Sequence, residues 1–339
     1  MCEEKMKNPS THLYSVLVCG AGNIAHRFDT LEGDDIFTHV KGFLRHGGFR
    51  VVAIIDEQPE RAKEAAEVWN IPHYGRCLDD VRDVDYDLVS ICTPDHTHAQ
   101  YLQDVLALKP KLVLCEKPLS ANIEEASALV ELYQQHGVHL AINYSRRWLP
   151  DFQHLSAQAL SGNFGKVVSA RMKYYKGFLH NASHFVDLLS MFTKPEILGG
   201  VILHSVQDYT PDDLTISAAA LMQSSIADGS TFPVMIEGYD TRLMSPIELE
   251  IIFEKTAIKL EELNGSFLTV ASLRENQTYP SFFEFSERTT SCIDASQAMR
   301  EAVAAAYQTL RSGTALASTG ETALETLRLC KRMQSLPCI

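Results

Sequence analysis

The stretch "YSVLVCGAGNIA" (14–25) decides the fold. Six residues of apolar texture run into Gly20-Ala21-Gly22-Asn23-Ile24-Ala25, a G-x-G-x-x-A pattern. Gly20 permits a tight turn after the strand. Gly22 lets the backbone approach a pyrophosphate, and Ala25 is small enough for a helix to pack on the strand. Ala21, Asn23 and Ile24 complete a cradle whose N–H groups face phosphate oxygens at a helix start. Taken alone the pattern is weak, and a tight turn without a ligand remains open.

The flanking texture strengthens it. Further short apolar runs follow: "VVAIID" (51–56), "DLVSICT" (87–93), "KLVLCE" (111–116) and "HLAINY" (139–144). Their lengths suit strands buried on both faces. Between them lie helical textures such as "EQPERAKEAAEVWN" (57–70) and "NIEEASALVELYQQHG" (122–137), the latter ending at a glycine stop. Strand and helix in alternation predict a parallel sheet with crossover helices, an α/β Rossmann domain over 12–144. After about residue 145 the texture changes to longer strands with hairpin turns, then two helices near 294–311 and 319–335. This predicts an α+β domain with an open, mostly antiparallel sheet over 145–339.

Bulk properties bound the function. The chain has 339 residues, long for a single core. Its formal net charge of -13 argues against a nucleic-acid or anionic-membrane partner. No run of about 18 apolar residues occurs, and the polar "MCEEKMKNPSTH" lacks the apolar core of a signal peptide. The eight cysteines form no C-x-x-C pair, so a cytoplasmic protein with reduced thiols is expected. His96 and His98 form only an H-x-H, a poor zinc signature, so no metal site is expected.

Asp56 closes the second apolar run, where a carboxylate would meet the ribose hydroxyls of an adenosine and repel a 2′-phosphate. It predicts NAD rather than NADP, although the position also suits a helix cap. Asp56 follows Gly20 by 36 residues, against about 20 in the usual fingerprint. The excess falls in "FDTLEGDDIFTH" (28–39), read as an extra loop after the first helix turn. Thr93 and Pro94 end the third apolar run, on the edge where open α/β sheets bind ligands, and His98 opens the next helix. At the end of the fourth, "LCEKPLS" (114–120) puts Glu116 and Lys117 before Pro118, which stops the sheet ladder. A lysine there can hold a substrate oxygen, or can be a strand-end ion pair.

In this order, "VLVCGAGNIA", "VVAIIDEQPERA", "DLVSICTPDHTHAQ", "LCEKPLSANIEEA", "INYSRRWLPDF" and "GNFGKVVSARMKYY" resemble the Gfo/Idh/MocA family of NAD(P)-dependent oxidoreductases. The resemblance is close over about 14–195 and loose beyond. It implies hydride transfer between a nicotinamide and a hydroxyl or keto carbon of a sugar, cyclitol or nucleotide sugar. It also implies a catalytic histidine, which falls on His184 of "HNASHFVDLL" (180–189), with Asp187 following. His180 stands where many relatives have an aspartate, and Asn181 follows it. Lys117 would then polarise the reacting oxygen, His184 act as base, Asn181 orient substrate or imidazole, and Glu116 brace the turn. Two other readings share these residues: relatives that use bound NAD for net glycoside cleavage or elimination, and a nucleotide-sensing regulator without catalysis. The family also implies a homodimer or homotetramer, because a broad sheet leaves one face to cover.

Overall fold

The computed structural model describes residues 13–226, 229–262 and 266–339. The readings of the N-terminal "MCEEKMKNPSTH" and of Cys2 lie outside these residues.

The first sheet has six parallel strands: β1 (Tyr14–Cys19), β2 (Phe49–Ile55), β3 (His73–Gly75), β4 (Leu88–Ile91), β5 (Leu112–Cys115) and β6 (His139–Ile142). Their order is β3-β2-β1-β4-β5-β6, with the reversal between β1 and β4. Such a reversal opens a crevice at the carboxyl ends of the strands. The continuous apolar runs are explained by burial on both faces: Val16 to Cys19, Ala53 to Ile55 and Leu112 to Cys115 are fully enclosed. The helices are α1 (His39–His46), α2 (Pro59–Trp69), α3 (His98–Asp104) and α4 (Ile123–His136). Asn122 caps α4, its side chain accepting from the Glu125 N–H. The short β3, with two exposed residues of three, carries no apolar run and is not foreseen in the sequence.

The helix expected straight after the glycine loop is a single five-residue π turn, Asn23–Arg27. The chain then loops until Thr38 and resumes as α1. The stretch 28–39 is therefore loop except for its last residue, which opens a helix.

Beyond α5 (Pro150–Leu160) comes an eight-stranded sheet: β7 (Val167–Tyr175), β8 (Pro195–Thr210), β9 (Asp213–Ser224), β10 (Thr231–Tyr239), β11 (Glu248–Phe253), β12 (Thr256–Glu261), β13 (Ser266–Glu275) and β14 (Phe283–Ile293). The order is β14-β13-β12-β11-β7-β10-β9-β8, antiparallel except for the β7–β10 pair. Its inner face, with Met172, Tyr174, Ala218, Phe232, Val234 and Ile251, packs on α6 (Ser183–Thr193). The last helices, α7 (Gln297–Ser312) and α8 (Gly320–Gln334), return to the Rossmann sheet. Met299, Ala302, Val303 and Ala306 of α7 join the β1 core. Ala323, Leu324 and Leu327 of α8 join the core of the other face. These contacts tie the second sheet to the crevice edge. Among the described residues no helix is long and apolar enough to cross a membrane.

Asp187 is 1% exposed and receives both Nε bonds of Arg147 at 2.8 Å, plus the Thr326 hydroxyl at 2.8 Å. This pair joins the start of α5, α6 and α8. Replacing Asp187 by alanine leaves a buried guanidinium without its carboxylate, a loss of about 3–5 kcal/mol. Chemical denaturation of Asp187→Ala is expected to show that loss, and an unchanged midpoint would contradict the assignment.

Candidate active site

The glycine loop is built by close approach. Gly20 has φ +96°, and a Cβ there would lie 2.7 Å from the Cys92 carbonyl oxygen, so β1 and β4 leave room only for glycine. A Cβ on Gly22 would meet nothing within 4 Å, which places that residue on open groove. The groove holds about 530 Å³ and is lined by Gly20, Gly22, Asn23, Ile24, Asp56, Thr93 and Pro94, among others. Its glycine-rich wall and carboxylate suit a dinucleotide.

Asp56 is largely buried. One carboxylate oxygen accepts from the Ala21 N–H at 2.8 Å, the other from the Gln58 N–H at 2.9 Å. It thus shapes the cradle and starts α2 while still lining the groove. Arg61 and Arg27 line the same groove, and Arg27 is paired with Glu64. Neither arginine was singled out in the sequence. His98 is not on the groove wall. Its ring is enclosed, with Nδ1 2.7 Å from the Pro118 carbonyl and Nε2 2.9 Å from the Thr93 carbonyl. It clamps the turn after β4 to the turn after β5.

The turn after β5 carries the densest polar network. A Glu116 carboxylate oxygen accepts from His39 Nε2 at 2.9 Å and from the Asn143 amide at 2.6 Å. His39 Nδ1 lies 2.7 Å from the Ser90 hydroxyl, and Asn143 accepts from the Trp148 indole at 2.9 Å. Burial favours protonated Glu116, but the bonds from His39 and Asn143 outweigh it and hold the carboxyl below its ordinary value. Burial would also lower His39, yet the Cys92 sulfur and the Glu116 carboxylate push it up to about 10. The pair is therefore ionic and enclosed. His39 carries no signal in the sequence, because it stands at the end of the irregular stretch 28–39.

Lys117 follows, joined to Pro118 by a cis peptide bond. Its ammonium donates to the His180 carbonyl at 2.8 Å, reaching across to the second domain. Burial lowers its pKa, against the raising effect of Asp95, Glu116 and Asp213. His184 opens α6 and lies edge-on to Tyr144, with ring centroids 5.9 Å apart. Burial, then the charges of Lys117, Arg146 and His180, hold its pKa well below 6.5. The charge of Lys117 is thus felt at His184, while Asp187 faces Arg147 instead. The Asn181 amide donates to the Tyr175 carbonyl at 2.9 Å. His180 stacks on Tyr209 at 4.3 Å and points Nδ1 toward Asp95 Oδ2 at 3.8 Å. Its own N–H and that of Leu179 both donate to Asp213 at 2.8 Å. Asp95, His180, Tyr209 and Asp213 share a cavity of about 650 Å³ beside Pro118.

Residues 14–144 match the family described as an oxidoreductase family with an NAD-binding Rossmann fold. An uncharacterized oxidoreductase of Bacillus subtilis, YrbE, is 31% identical over 128 residues, 38% of this chain and 37% of the relative. The chain thus spans little more than a third of that relative's length. Two solved structures share the fold over nearly the whole chain. The UDP-N-acetylglucosamine 3-dehydrogenase GnnA from Acidithiobacillus ferrooxidans has TM-score 0.70 at 18% identity, covering 96% of this chain and 97% of that one. The 3-ketoreductase KijD10 from Actinomadura kijaniata, in complex with NADP and TDP-benzene, has TM-score 0.72 at 17% identity, covering 97% and 99%.

The raised His39 pKa gives a stability signature. Its bond to Glu116 contributes fully below about pH 6.5, the ordinary histidine range, and is lost as pH rises through about 10. The stability gap between the wild type and His39→Ala is expected to be widest near pH 6 and to shrink toward pH 10. Denaturation midpoints across that range measure it, and a gap independent of pH would contradict an ionic His39–Glu116 pair.

Proposed function

We propose that the chain, whose residues 14–144 match the Gfo/Idh/MocA oxidoreductase family, is an NAD-dependent dehydrogenase or reductase acting on a hydroxyl or keto carbon of a nucleotide sugar or related sugar. The observation that carries this reading is the reach of the Lys117 ammonium from the turn after β5 to the His180 carbonyl, four residues before His184, with burial lowering the pKa of both Lys117 and His184. NAD would supply the hydride acceptor or donor. Gly20, Gly22, Asn23 and Ile24 of the groove wall would hold its phosphates, and Asp56 would meet its adenosine ribose. In the oxidation direction, neutral His184 takes the proton of the substrate hydroxyl. Lys117 holds that oxygen and offsets the charge that develops on it. Glu116, fixed by His39 and Asn143, holds the turn that presents Lys117. Asn181, tied to the Tyr175 carbonyl, fixes the residues before His184. The nucleotide-sugar class is supported by the fold shared with GnnA and KijD10, together with the polar cavity at His180 and Tyr209.

The cofactor preference rests on Asp56, whose carboxylate repels a 2′-phosphate. Arg61 on the same wall is the residue that would favour one. Direct titration is expected to show tighter NAD than NADP, and the difference to narrow in Asp56→Ala. Equal or tighter NADP binding by the wild type would contradict the role of Asp56.

A second copy of the chain is proposed to cover the outer face of the large sheet, where Leu221 and Met235 remain 45% and 40% exposed. Light scattering at micromolar concentration is expected to give a dimer or tetramer, and a monomer mass would sink the assignment. A cytoplasmic location is proposed, on the cysteine pattern of the sequence, which has no C-x-x-C pair.

The reaction is tested by following NAD reduction over a panel of sugars and nucleotide sugars. Substrate turnover without net NADH would support transient oxidation instead, and the absence of any turnover would favour a nucleotide sensor. With a substrate in hand, the acid limb of the kcat/KM profile for oxidation is expected below pH 6.5, because His184 must be neutral to accept a proton. Lys117→Met removes a charge that depresses His184, so the limb of the residual activity is expected to move to higher pH. A limb that stays in place would show that the two side chains do not communicate.

A further inference from the structure

The stretch 28–38 has no part in the chemistry above, yet it is held in one shape. The Asp29 carboxylate accepts from the N–H of Phe37 at 3.0 Å, the N–H of Thr38 at 2.8 Å and the Thr38 hydroxyl at 2.6 Å. Lys41, 1% exposed, donates its ammonium to the carbonyls of Thr30 and Gly33, both at 2.8 Å. Ile36 is buried in the core beneath α1. A loop anchored this firmly nevertheless leaves Phe28 61% and Phe37 39% exposed. Burying such rings is worth roughly 1.5–3 kcal/mol each, so their exposure calls for an occupant.

Both rings line an apolar cavity of about 490 Å³, together with Ile24, Ala298, Met299 and Asn143. Ile24 and Phe28 also line the glycine-loop groove, so the cavity continues that groove. Asn143 fixes its far end, because the Asn143 amide is bonded to Glu116 at the end of β5. A dinucleotide that starts at Asp56 and crosses the switch point between β1 and β4 runs from the groove into this cavity. Its flat nicotinamide half matches aromatic and aliphatic walls.

We propose that residues 28–38 form a fixed clasp, in which Phe28 and Phe37 cover the nicotinamide half of the bound cofactor and slow its release. The proposal rests on the NAD reading of the groove. The same loop feeds directly into His39 through Thr38, so the clasp and the brace on Glu116 are one piece of chain.

The test is the release of NADH from the full-length protein. NADH is bound, then displaced by excess NAD in a stopped-flow instrument while its fluorescence is followed. The Phe28→Ala/Phe37→Ala double variant should fold normally, since both rings are exposed and the anchors Asp29, Ile36 and Lys41 remain. Its release rate is expected to rise about tenfold, with a matching rise in Kd. Phe28→Tyr/Phe37→Tyr, which keeps the rings, is expected to release NADH at nearly the wild-type rate. A double alanine variant within twofold of the wild type in both rate and Kd would overturn the clasp while leaving the cofactor reading intact. A wild type that binds no NADH would overturn both.

Discussion

The carboxylate of Glu116 is the point on which the active site hangs. It sits where β5 must stop and accepts bonds from His39 of α1 and Asn143 at the end of β6. Three segments of the Rossmann domain are thereby fixed around one side chain. A buried ionic pair of this kind adds little net stability over an apolar packing, but it is costly to break and it admits one geometry. Lys117 inherits that geometry. Its ammonium reaches the His180 carbonyl in the second domain, so the bracing of a strand end becomes the alignment of two domains.

The charge arrangement follows from the same placement. Lys117 and His184 are half-buried, and burial penalises the charged form of each. The lysine keeps carboxylates nearby at Asp95, Glu116 and Asp213, whereas the histidine meets mainly cations. The result is a neutral base beside a cationic group. That is the combination needed to take a proton from a hydroxyl while stabilising the oxygen left behind.

The parallel sheet was legible because buried strands need continuous apolar runs and leave a period the eye can follow. Gly20, Gly22 and Asp56 were legible for a related reason: close backbone approach and strand-end geometry restrict the residue type. The brace on Glu116 was not, since His39 opens a short helix after an irregular loop, 77 residues away in sequence, and such a pairing has no period. Asp187 is set apart from His184 by burial. It follows His184 at H-x-x-D spacing, but its two carboxylate oxygens share the Nε–H of Arg147. His98 likewise opens a helix at the crevice edge, yet its ring turns inward to two carbonyls.

The central claim is that Lys117 and His184 act as one unit. A double-mutant cycle on steady-state turnover with the substrate found in the screen measures it, using Lys117→Ala, His184→Ala and both together, with NAD affinity determined separately. Each single variant is expected to lose about two to four decades of turnover while binding NAD nearly normally. The double variant is expected to lose far less than the product of the two. Near-wild-type turnover of Lys117→Ala, or fully multiplicative losses, would contradict the account.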